Sequence, residues 1–415
     1  MRDQRSSRTR SDRATEPQPA HDARLLIVAR ALRGFADGAV SVLLASYLTH
    51  LAFTPFQVAA IVTGTLLGSA ALTVWVGVAG HRLQRKHVLL AAAVLMMATG
   101  VGFGILTGFW PLLVVAVVGT LNPSSGDVSV FLPVEQAALA ETIDAKRLTA
   151  TFAWYNLAGT LAGALGALAS ALPEILARHY AIDTRSGERL GFVLYVAVAL
   201  AVAALYRRLS PLVEHEGTPA MAPLARSRSV VLRLAALFSL DSFGGGFVVQ
   251  SLLVLWLYRR FELSVGATGT IFFVAGILAA FSQFLSSRIA ARIGRIRTMV
   301  YTHLPANVFL MIAGIVPSAE LAVTFLLLRM ALSQMDVPAR QSYVMAIVPP
   351  EERAAASGLT NVPRSLATAL APLLAGVMLE HSSFGWPLLV GGFLKALYDV
   401  LLLIQFRSLK PPGEA

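Results

Sequence analysis

The sequence predicts an all-α membrane protein built as two six-helix transmembrane bundles related by a parallel internal repeat. Three observations predict it. Of the 415 residues 56% are hydrophobic and 14% charged, with a mean hydropathy of +0.67, a balance that leaves a soluble domain too little polar surface. The apolar residues fall into about twelve runs of membrane-spanning length. One short passage is also written twice, 210 positions apart. Gly77, His81, Arg82, Arg85 and His87 answer Ser287, Ala291, Arg292, Arg295 and Arg297, each copy a basic hinge between two apolar runs.

Residues 1–24 are polar and Arg-rich with no apolar core, so they read as a disordered basic tail rather than a signal peptide. Apolar cores follow at 25–51, 57–77, 88–108, 112–134, 148–171 and 190–206, giving a first bundle over 25–208. Residues 209–231, with Pro211, Gly217, Pro219 and Pro223, read as a linker. The second bundle, 232–407, has cores at 234–257, 268–287, 298–316, 322–346, 354–379 and 387–405, and 408–415 is a short tail. After the hinge the repeat resumes at an offset of 205, pairing Pro133 with Pro338, Glu135 with Arg340, Gln136 with Gln341 and Asn156 with Asn361. The first bundle therefore has about five extra residues, assigned to the helix-interrupting stretch Asn122, Pro123, Ser124, Ser125 and Gly126.

A net charge of +11 in a soluble chain would suggest nucleic acid, but here Lys and Arg alternate between loops. One side holds the tail and Arg82, Arg85, Lys86, Lys146, Arg207, Arg292 and Arg295, whereas the other has only Arg178, Arg185, Arg189, Arg259 and Arg260. The positive-inside rule then places both termini in the cytoplasm of a bacterial-type inner membrane, with the bilayer rather than nucleic acid as partner. Cysteine is absent, which excludes disulfide and thiolate chemistry. No metal-ligand spacing, hydrolase signature or phosphate-cradling loop occurs, so the expectation is neither an enzyme nor an ATP-driven pump, with no metal and no cofactor.

Chemistry must lie in the intramembrane charges, each costing about 2.5 to 3.5 kcal/mol at a helix centre on insertion scales. Arg30, Arg33 and Asp37 share one face of span one, and Arg329, Asp336 and Arg340 one stripe of span ten. Two readings stand for each: internal pairing (Arg33 with Asp37, Asp336 with Arg340), or a site facing a cavity, where Asp37 binds a proton or cation and the span-ten stripe an anionic or zwitterionic solute. Span four adds Asp127 and Glu135, and span seven adds Asp241 before Gly244, Gly245 and Gly246. In span twelve Lys395 and Asp399, four apart, are expected to neutralise one another. Asn156 and Asn361 are polar cavity candidates.

Six plus six spans, a basic linker and the hinge after span two resemble the major facilitator superfamily over nearly the whole chain. Gly77, Arg82, Arg85 and Lys86 match its hinge motif, while His81 stands at its usual Asp and Gln84 at its glycine. Gly159, Gly163 and Gly166 in span five are similar to the glycine motif of proton-coupled exporters, with Ala164 in place of its proline; close helix packing is the competing reading. The resemblance implies that spans one, four, seven and ten line the path, and the acidic residues fall on all four. The function expected is alternating-access secondary transport of a small solute by a monomer, driven by a proton or cation gradient, with proton-coupled export first. Asp37 or Asp241 is expected to carry the coupling proton, and Glu135 with Arg340 to close a cytoplasmic gate. Import by symport, export of a metal or oxyanion, and a transporter-shaped receptor or scaffold remain alternatives.

Overall fold

The structure, a computed structural model, describes residues 18–79, 83–124, 129–143, 145–181, 183–214, 227–349 and 352–407. Among these the regular structure is helical. The first half contains α1 (Gln18–His50), α2 (Pro55–Ala79), α3 (Arg85–Ile105), α4 (Phe109–Val118), α5 (Phe131–Thr142), α6 (Ala145–Ala169), α7 (Leu172–His179) and α8 (Thr184–Arg207). The second contains α9 (Arg228–Gly246), α10 (Gln250–Phe261), α11 (Val265–Ile293), α12 (Arg295–Ile315), α13 (Ala319–Ser333), α14 (Asp336–Ile347), α15 (Arg353–His381) and α16 (Trp386–Phe406). Ten segments are long and apolar enough to cross a bilayer among the described residues. The charged α1 and the short α4 complete the two sets of six.

Three spans are broken where the sequence withdraws helix propensity. Span four stops at Gly119, and Asn122 then accepts a 3.0 Å bond from the Ser124 amide in a side-chain-closed turn. Among the described residues helix resumes at Phe131, so the expected continuous core of 112–134 contains two helices. Span seven parts after the triple glycine, and span ten between Ser333 and Asp336. Such breaks survive at membrane depth only where protein or a polar cavity meets the freed backbone groups.

The sequence boundary of the N-terminal tail moves. Residues 1–17 lie outside the described residues, but Gln18–Arg24 form the first turns of α1. Asp22, nearly fully buried, accepts from the backbone N–H and hydroxyl of Ser210, which ties the helix start to the segment after α8. The expected linker is likewise shorter. Pro211–Val213 form a 3₁₀ turn and α9 starts at Arg228, with 215–226 outside the described residues.

Within the first half α1 packs on α6 and α3 on α8; within the second α9 packs on α15 and α12 on α16. The halves join through α2 against α15 and α6 against α11. Close backbone approach makes the α1–α6 contact. A Cβ on Gly38 would lie 2.0 Å from the Gly163 carbonyl oxygen, and one on Gly166 1.9 Å from that of Phe35. Gly163 and Gly166 thus serve packing, the second of the two readings of the span-five glycines.

Candidate functional site

Each half buries its charges separately. In the first half Glu135 on α5, wholly buried, accepts from Arg33 on α1, from the Tyr155 hydroxyl on α6 and from the Tyr206 hydroxyl at 2.5 Å on α8. The Arg33 guanidinium also lies 4.3 Å from the centroid of Phe131. One carboxylate therefore joins four helices. This overturns the pairing of Arg33 with Asp37 inside α1: the four-residue spacing permits it, but Glu135 offers better access to the guanidinium. Asp37 is buried at 5% exposure, with no cation within 4 Å among the described residues.

In the second half Asp241 on α9 is the hub. Lys395 on α16 reaches it at 2.6 Å, Arg340 on α14 at 3.2 Å, and His303 Nε2 on α12 lies 3.7 Å away. Arg340 is also 3.2 Å from Asp336, as internal pairing predicted. Lys395 and Asp399 do not neutralise one another: Asp399 instead takes His303 Nδ1 at 2.9 Å and the Asn307 amide at 2.9 Å. His303 thus lies between two carboxylates. It was invisible as a functional residue in the sequence, since its neighbours in space are 62 and 96 positions away.

In this conformation Glu135 and Arg340 are not in contact. Both are buried, each held by partners in its own half. Asp127 and Arg82 lie outside the described residues.

Between the halves lies a cavity of two chambers that share Gln334 and Arg364. The larger, about 520 Å³, is lined by the repeat-related amides Gln136 and Gln341, Asn156 and Asn361, and by Arg30, Arg340 and Arg364. The smaller, about 250 Å³, adds Asp241, Lys395 and Arg329 with an apolar wall including Leu253, Ile271, Phe272 and Leu326. Asn156 and Asn361 thus line the cavity, whereas Asp37, Glu135 and Asp336 are not among its lining. On the face opposite the termini the halves meet: Gly269 sits against Ala167, and the Phe56 N–H donates to Glu380 at 2.9 Å. Toward the terminal face α6 and α11 part around the large chamber.

The family model of the Major Facilitator Superfamily matches residues 26–335. The chain belongs to the major facilitator superfamily. An uncharacterized membrane protein of Saccharomyces cerevisiae, YJR124C, is 24% identical, covering 93% of this chain and 94% of its own. The Multidrug efflux protein YfmO of Bacillus subtilis is 29% identical over 160 residues, 38% of this chain and 40% of its own. In structure the chain is similar to a D-xylose-proton symporter, with a TM-score of 0.74 at 14% identity over 96% of this chain and all of the other. As a superfamily member it is a multi-pass membrane transporter rather than a member of an enzyme family.

The superfamily hinge also has a physical account. Glu214 accepts from the backbone N–H groups of Arg85 at 2.7 Å and Lys86 at 3.0 Å, capping α3, while Lys86 Nζ donates to the Leu209 carbonyl at 2.6 Å. The hinge is thus fastened to the segment leaving α8. In the second copy Gly294, between the exposed Arg292 and the half-buried Arg295, turns the chain at φ +86°, which requires glycine. Its counterpart Gln84 sits at φ −70°, so the absence of glycine there costs nothing. Gly77 has open space around its Cβ position.

Proposed function

We propose that the chain is a proton-linked secondary transporter of a small solute, working as a monomer by rocking of the 25–208 and 232–407 halves around the cavity between them. The observation that carries the reading is the position of the Asp241, Lys395 and Arg340 cluster, at once the wall of the central cavity and the place where α9, α14 and α16 are tied together. A change in the charge of Asp241 alters both what the cavity presents and what holds the helices. Basic residues concentrated on the terminal face orient that face to the cytoplasm of an inner membrane. Export is the favoured direction, supported by the partial likeness to a multidrug efflux protein.

A second reading, symport, is favoured by one observation. Lys395 and Arg340 are both engaged by the Asp241 carboxylate. Protonating that carboxylate releases them, so a solute that needs either cation binds together with the proton, and linkage makes the effect reciprocal.

Reconstituted vesicles loaded with a pH-sensitive dye test the proposal. Solute-dependent proton movement is expected with the parent chain and is lost in Asp241→Asn, and the sign of the movement separates export by exchange from symport. Saturable binding with no flux of solute or proton would make the chain a receptor or scaffold instead.

A further inference from the structure

We infer that the cavity between the halves is a site for an organic anion, gripped from the first half by Arg30 and from the second by Arg364. The inference deepens the transport reading by naming the class of solute, and it rests on the cavity being the substrate site.

Among the described residues the large chamber has three guanidinium groups in its lining, Arg30, Arg340 and Arg364, and no carboxylate. Arg340 is committed to Asp241 and Asp336. Arg30 is different. It is 8% exposed, and its Nε and one terminal nitrogen are buried with no hydrogen-bond partner among the described residues. What it touches is the face of Tyr155, 5.8 Å from the ring centroid, and the backbone of Gly159, where any Cβ would approach its Nε to 2.4 Å. A glycine at that place keeps the guanidinium seated beside the cavity. Desolvating a cation without an acceptor is costly, and a forked donor is matched by a carboxylate, sulfonate or phosphate.

Arg364 enters from the other half on α15, donating to Ser242 at 2.8 Å, and belongs to both chambers. In the smaller chamber Arg329 adds a second buried Nε with no partner among the described residues, opposite an apolar wall containing Phe272 and Leu326. Cationic groups beside an apolar wall fit a molecule with both an anionic head and a hydrocarbon or aromatic body, rather than an inorganic ion. An anion bridging Arg30 and Arg364 also spans the two moving halves, so its binding senses their separation.

The test is calorimetric titration of the purified full chain in nanodiscs of neutral phosphatidylcholine with four probes of similar size: phthalate, benzoate, benzamide and benzylamine. Phthalate is expected to bind most tightly, benzoate next, and the neutral and cationic probes most weakly. Arg30→Gln and Arg364→Gln should each weaken phthalate at least about tenfold, the worth of one charge-assisted hydrogen bond, and leave benzamide unchanged. Arg30→Lys should recover part of the loss, and unchanged melting temperatures keep the variants interpretable. Arg329→Gln provides a second route should Arg30→Gln melt early. Equal affinity for benzamide and phthalate, or full phthalate affinity in both glutamine variants, overturns the inference. So does displacement of a fluorescent anionic lipid by phosphatidylglycerol with no competition from soluble carboxylates, which assigns the arginines to lipid headgroups. None of these readouts needs flux, so absence of transport and absence of an anion site are separable results.

Discussion

Ser251 donates a 2.8 Å hydrogen bond to the backbone carbonyl of Ser41, the residue 210 positions earlier that is its own counterpart in the repeat. A contact between equivalent residues lies near the axis relating the two halves. Ser251 is wholly buried there, and its N–H and hydroxyl also reach the Pro123 carbonyl at 3.2 and 3.1 Å, on the broken segment of span four. Pro123, in the stretch assigned to the extra residues of the first repeat, thus lies beside the place where the face opposite the termini is closed.

Removing that hydroxyl should loosen the closed face. Ser251→Ala forfeits about 1 kcal/mol, an approximately fivefold shift in a two-state balance. Because the chain has no cysteine, Leu253→Cys can report the change through labelling by a membrane-impermeant maleimide. Labelling should rise about fivefold in the alanine background, and an unchanged rate would remove Ser251 from the closure.

Glu135 holds four helices together, so its loss should register in stability before anything else. Glu135→Gln leaves Arg33 without its counter-charge at 1% exposure and should cost about 3 kcal/mol, read as a lower melting temperature in detergent. Tyr206→Phe should cost about 1 kcal/mol. A cysteine pair at 135 and 340 should fail to cross-link, since Glu135 is wholly buried among first-half helices and Arg340 is held by Asp241 and Asp336; efficient cross-linking would support the gate.

The second-half network predicts which pairs are coupled. A double-mutant cycle on His303 and Asp399 should give an interaction energy of about 1 to 3 kcal/mol, whereas one on Lys395 and Asp399 should be several-fold smaller despite their helical spacing. Lys395 and Asp241 should match the first pair. The reverse ranking would mean that the span-twelve pair is internal after all.

Asp241→Asn should abolish solute accumulation driven by a proton gradient while sparing solute–solute exchange, because exchange needs no net proton movement. Measured in the same vesicles, Asp37→Asn should leave gradient-driven accumulation within about twofold of the parent, since that carboxylate is not part of the cavity lining. If Asp37→Asn alone abolishes coupling, the proton belongs to the first half.

Two glycines separate packing from hinge function. Gly38→Ala drives a Cβ to 2.0 Å from the Gly163 carbonyl oxygen, where backbone meets backbone, and should cost about 3 kcal/mol or prevent folding. Gly77→Ala meets nothing within 4 Å among the described residues, sits in helix α2, and should be neutral or stabilising by up to about 1 kcal/mol. Comparable destabilisation of both in a thermal melt would contradict the α1–α6 contact.

The sequence alone determined what depends on local composition and on spacing along the chain. Runs of apolar residues fix twelve spans because the bilayer sets their length, and the 210 and 205 offsets fix two related halves, so that Gln136, Gln341, Asn156 and Asn361 arrive in one cavity by repetition. Asn122 and Pro123 marked the break in span four for the same local reason, whereas spans seven and ten read as continuous runs and their breaks emerged only in the structure. Which charge meets which was decided only by the tertiary structure. Helical spacing offered Arg33 to Asp37 and Lys395 to Asp399, yet Arg33 binds Glu135, 102 positions away, and Lys395 binds Asp241, 154 away. In a bilayer a charge cannot settle for water and takes the partner with the best geometry, wherever packing brings it. For the same reason His303 and the Arg30 nitrogens that lack a partner among the described residues had no signature in the chain: each becomes a functional group only through what the neighbouring helices supply or withhold.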